Sequence, residues 1–69
     1  MGPKVWLANN KWEADYKVFF VNYKSEENNA QLIAGGKLVN SKFGADVKVY
    51  IVQYKSEAQI LITRQNFPK

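Results

Sequence analysis

Two stretches of this chain are near copies of each other. A-D-Y-K-V-F-F-V-N-Y-K-S-E runs from Ala14 to Glu26, and A-D-V-K-V-Y-I-V-Q-Y-K-S-E runs from Ala45 to Glu57. Nine of the thirteen positions are identical, at an offset of 31 residues. The four differences, Tyr16/Val47, Phe19/Tyr50, Phe20/Ile51 and Asn22/Gln53, preserve volume or polarity. A repeat of this kind sets the size of the structural unit and constrains every later step. Weaker copies fill the rest of the chain. Ala followed by Asp or Gln and then an apolar residue recurs at Ala14-Asp15-Tyr16, Ala30-Gln31-Leu32, Ala45-Asp46-Val47 and Ala58-Gln59-Ile60, at spacings of 16, 15 and 13. A polar stretch precedes each copy.

Units of 13–16 residues hold one strand of about six residues and one turn. The strand segments are rich in β-branched and aromatic residues, as strands prefer. Parallel neighbours ordinarily need crossovers of about a dozen residues or more, whereas antiparallel neighbours need only a turn. The expected fold is therefore all-β, an antiparallel meander of about five strands, free to close into a small barrel or to pair with a second copy. The first strand is expected from Lys4 to Asn9, with Trp6 aligned to Phe19, and the last from Ile60 to Gln65. Alternation puts Tyr16, Val18 and Phe20 with Val47, Val49 and Ile51 on one face, read as the main core. The other face carries Lys17, Phe19, Val21 and Tyr23 with Lys48, Tyr50, Val52 and Tyr54. It is too apolar to stand free in water, so turns or a second copy are expected to cover it.

One local signal competes. Ser25 followed by Glu26 and Glu27 resembles a helix start, with Gly35 as its stop. The alternative is an α+β fold with a short helix near residues 26–34. Gly35-Gly36 also suits a bend, a bulge or a close approach of backbones.

Composition narrows the function. With 69 residues the chain is one domain, residues 1–69. It has no Cys and no His. That removes disulfides, thiolate nucleophiles, the commonest general base and the commonest transition-metal ligands. Neither catalytic residues nor metal ligands nor cofactors are expected, and the chain reads as a non-enzyme. The acids at Glu13/Asp15, Glu26/Glu27 and Asp46/Glu57 flank polar turns, where Asp commonly bonds backbone amides. Gly35-Gly36-Lys37 falls short of a phosphate loop. No apolar run is longer than Val18–Val21, far below a membrane span of about 20 residues. No stretch of signal-peptide length opens the chain, so a cytoplasmic location is the default expectation.

The repeat resembles an uncharacterised bacterial family built from short tandem units of the form S-K-Y-D-A-D-x-K-V-Y-x-V. N-S-K-F-G-A-D-V-K-V-Y-I-V, Asn40 to Val52, follows that pattern, and N-K-W-E-A-D-Y-K-V-F-F-V, Asn10 to Val21, is a looser copy. The pattern lapses between Ala30 and Leu38, and Gln59 replaces its Asp near the end. The resemblance implies a repeated strand-and-turn brick and lends no activity.

The candidate contact residues are Trp12, Lys17, Phe19, Tyr23, Lys48, Tyr50 and Tyr54. The favoured reading is an interaction or self-assembly module that forms a homo-oligomer, since a small unstapled domain gains from association. A second reading is single-stranded nucleic acid, with bases stacked on rings and phosphates beside Lys. Net charge is +4, but acids are interspersed with lysines and Arg64 is the sole arginine, so that partner is not favoured. A third is a lectin-like site in which sugars stack on Trp or Tyr.

Overall fold

The β-branched and aromatic runs form five strands: β1 (Lys4–Leu7), β2 (Tyr16–Val21), β3 (Lys37–Val39), β4 (Val47–Ile51) and β5 (Ile60–Thr63). The computed structural model describes residues 2–69. All five strands lie in one sheet in the order β3-β1-β4-β2-β5. Every pairing is parallel: β1 with β3, β1 with β4, β2 with β4, and β2 with β5.

The antiparallel meander expected from the sequence is therefore wrong. The error lies in the crossover rule. The step from β1 to β2 skips one strand, a lateral move of about 10 Å plus a return along a strand of some 13–20 Å. The diagonal is about 20 Å. Residues 8–15 lie between the two strands, and eight residues reach up to about 29 Å. A short strand makes a short crossover sufficient, and no helix is needed.

Three of the four crossovers are bonded to the strand they pass, and the connection from β2 to β3 is bonded to β5 instead. Residues 8–15 pass β4: Ala8 N donates to Val49 O at 2.7 Å, and Asp15 N donates to Lys48 O at 2.7 Å. Residues 52–59 pass β2: Val52 N donates to Val18 O and Gln59 N to Lys17 O, both at 2.9 Å. The connection from β3 to β4 passes β1, where Asp46 N donates to Lys4 O at 2.8 Å. Within the crossovers, K-x-E forms a 3-10 turn three times, at Lys11–Glu13, Lys24–Glu26 and Lys55–Glu57.

The repeat also fixes the stagger. Val18 and Val49 are equivalent, yet Val18 faces Ile51, two residues on. Ile60, equivalent to Val47, likewise faces Val18. Val5, aligned with Val18 and Val49, faces Val47. A shift of two keeps the same side chains on the same face, whereas a shift of one would turn them all outward. Val5, Val18, Val49, Ile60 and Ile62 are fully buried there, joined by Ile33 and Ala30. Tyr16, Phe20, Leu38, Val47, Ile51 and Phe67 pack around them.

The α+β alternative also fails. Residues 26–34 hold no α-helix, only the end of one 3-10 turn and a second at Ala30–Leu32. Asn29 adopts a left-handed conformation with φ of 58°, which breaks any helix at that point. Asn28 is spent on β5, exchanging two backbone hydrogen bonds with Leu61. The Gly35-Gly36 pair makes a close approach instead. A Cβ on Gly36 would lie 2.6 Å from Pro3 O and 2.9 Å from Ile33 O.

Both outer strands are engaged by other parts of the chain. Asn28 bridges β5, and Leu38 N of β3 donates to Lys69 O at 3.1 Å. Among the described residues no helix is long and apolar enough to cross a membrane.

Candidate interaction surface

The conserved spacing of the two A-D-x-K units brings the Asp of one unit to the Lys of another. The resulting contact is a two-point clasp. Asp46 Oδ2 accepts from Lys4 N at 2.8 Å, while Asp46 N donates to Lys4 O. Asp15 Oδ2 accepts from Lys48 N at 3.2 Å, and Gln59 Oε1 accepts from Lys17 N at 2.7 Å, each with the same reciprocal backbone bond. An amide oxygen serves as well as a carboxylate here, which explains Gln59 in the Asp position. Asp15 and Asp46 do bond backbone amides as turn acids do, but on a neighbouring strand.

Glu27 is tied more fully. Its Oε2 accepts from Thr63 N and Thr63 Oγ1, both at 2.9 Å, and from Asn66 Nδ2 at 2.9 Å. The Thr63 amide, then Asn66, hold its carboxyl below the usual range. Among the described residues no three His, Cys, Asp or Glu side chains group as metal ligands.

The seven candidate contact residues fall into two sets. Lys17, Phe19, Lys48 and Tyr50 lie on the strand face beneath the crossovers and are only half exposed. Lys17 and Tyr50 are register partners in adjacent strands. The turn Lys11–Glu13 sits over β4, and the Lys11 ammonium, paired with Glu57 and near Tyr50, is held above its ordinary range chiefly by the Glu57 hydrogen bond. These four residues do not form an open platform.

Trp12, Tyr23 and Tyr54 stand clear of the sheet. Trp12 is 83 % exposed, Tyr23 68 % and Tyr54 64 %. Phe43, also 83 % exposed, belongs with them. Sequence reasoning missed Phe43, although K-W-E-A-D at 11–15 and K-F-G-A-D at 42–46 place it opposite Trp12 in the repeat. Three turns lie by the strand their crossover skips and the fourth lies by the edge strand, so the turns follow the sheet order: 42–44 by β1, 11–13 by β4, 55–57 by β2 and 24–26 by β5. Phe43, Trp12, Tyr54 and Tyr23 are thus carried by successive turns in that order, Phe43 and Trp12 at the middle position and the two tyrosines just before the turn Lys.

Each of these turns also opens with Lys, and three carry Glu at the third position. Neighbouring turns are linked through them. Lys42 Nζ lies 3.4 Å from Glu13 Oε2, and Lys11 Nζ lies 2.8 Å from Glu57 Oε1. Lys42 also hovers 5.9 Å from the Phe43 ring centroid. Lys55 and Glu26 occupy the next equivalent positions but form no ion pair among the described residues. Compared with protein-family models, curated proteins and solved structures, the chain matches none of them.

Proposed function

We propose that this chain is a non-enzymatic interaction module that self-associates through its turn aromatics. The observation that carries the reading is Trp12 and Phe43, each 83 % exposed at equivalent positions of adjacent turns. Trp, Tyr and Phe at such positions are the residues that anchor protein interfaces. Alternating Lys and Glu leave the turns with a net charge of only +1, so the same patch can complement itself in a two-fold arrangement. Lys55 and Glu26, which form no ion pair among the described residues, supply opposite charges for a second copy. A polyanion fits less well, because four turn lysines are offset by three glutamates. A sugar ligand shares the aromatic surface but leaves the charge pattern without a role.

Sedimentation equilibrium across a wide concentration range tests the reading. Wild-type protein is expected to self-associate. Trp12→Ala and Phe43→Ala are each expected to weaken association about tenfold or more while thermal stability holds, as loss of an interface anchor does. A strictly monomeric wild-type protein overturns it, and so does association that both variants leave unchanged.

A further inference from the structure

The chain's sole arginine lies away from the turn of Trp12, in a cleft of about 380 Å³. Its walls are the end of β2 with the following turn (Asn22, Lys24) and the turn after β5 (Arg64, Gln65, Asn66), with Phe20 at the base. We infer that this cleft binds a phosphate group, free or carried on a small molecule, with Arg64 as its principal ligand and Lys24 as the second cation.

Three observations support the assignment. Arg64 Cζ sits 4.7 Å from the centroid of the Phe20 ring, and Phe20 is braced edge-on by Phe67 at 5.1 Å. A guanidinium laid on a ring loses little freedom when it binds, and its N–H edge stays available for a planar two-point contact. Neither Arg64 nor Lys24 has a carboxylate partner within ion-pair distance among the described residues. The nearby acid, Glu27, feels the charge of Lys24 but forms no ion pair with it among the described residues. Glu27 accepts from Thr63 and Asn66, which stiffens the turn bearing Arg64 and occupies the carboxylate within the wall. The cleft keeps a cation in excess, with the amides of Asn22 and Gln65 as further donors. Arg and Lys together with amide N–H groups are the set that recognises phosphate. The volume suits an inorganic anion or a small monoester, at the lower end of ligand sites.

The test is a titration of the ¹⁵N-labelled protein with inorganic phosphate, against chloride at constant ionic strength. Saturable shifts are expected at residues 21–24 and 63–66. Arg64→Gln is expected to weaken binding about tenfold or more, Lys24→Gln less, and Arg64→Lys to an intermediate degree because it keeps charge without the fork. Both side chains are exposed, and the rest of the spectrum reports that each variant stays folded. Shifts spread equally over Lys4, Lys37 and Lys69 overturn the site. Undiminished binding in Arg64→Gln does so too, and wild-type affinity in Arg64→Lys removes the role given to the guanidinium.

Discussion

At the scale of single residues, the clasps decide how strands find their stagger. Asp46 gives β1 both an acceptor and a donor at Lys4. Asp46→Ala removes the acceptor and is expected to cost about 1 kcal/mol, read as a lower urea midpoint. Asp46→Asn keeps an acceptor, as Gln59 does naturally, and should recover most of that loss. Glu27 gives a pH effect of known sign. Its folded-state carboxyl is depressed below the ordinary value of 4.5 by Thr63 and Asn66. The stability it contributes is therefore present above that value and is lost as pH falls through the folded one. Urea melts in this acid window should show a decline that Glu27→Gln flattens, and an unchanged decline would place the acid sensitivity elsewhere. Much of this scale was legible in the sequence. The backbone-bonding role of Asp15 and Asp46 follows from residue type and turn position, whereas Tyr23 and Tyr54, read as part of a covered strand face, lie beyond the ends of β2 and β4 and are exposed. Glu27 was not legible as a cross-link, because its partners lie 36 and 39 residues away and outside any repeat match.

At the scale of elements, the inner face was readable and the pairing direction was not. Val18 and Val49 are fully buried and alternate with half-buried neighbours, a period-two pattern that holds whatever the direction of the neighbouring strand. Direction depends on the reach of a connection relative to strand length. Three- to six-residue strands bring parallel crossovers within range of a 3-10 turn. The near-identity of β2 and β4 was itself the missed clue, since two copies running the same way pair naturally as parallel neighbours. The lapse in the repeat around residue 35 also has a physical reason. Gly36 must pass the Pro3 and Ile33 carbonyls at a distance no side chain tolerates. Gly36→Ala is expected to destabilise by about 1–3 kcal/mol, the usual range for overpacking, measurable as a fall in melting temperature. Gly44→Ala, also costly through its φ of 85°, has open space around it and should lose less.

At the scale of the whole molecule, no strand is paired with its neighbour in sequence. The pairings join β1 to β3 and β4, and β2 to β4 and β5. A domain with only distant pairings has nothing local to start from, and slow folding for its size follows. Stopped-flow refolding is expected to run on the millisecond-to-second scale or slower. Cut the polypeptide between Gly35 and Gly36, and the severed parts mesh like the fingers of clasped hands. Residues 1–35 would keep β1 and β2, residues 36–69 would keep β3, β4 and β5, and every ladder would run from one fragment to the other. Each peptide alone should give a coil-like circular dichroism spectrum, and mixing them should restore the native one. Such mutual dependence makes the break point a ready place to split the protein into a two-piece reporter.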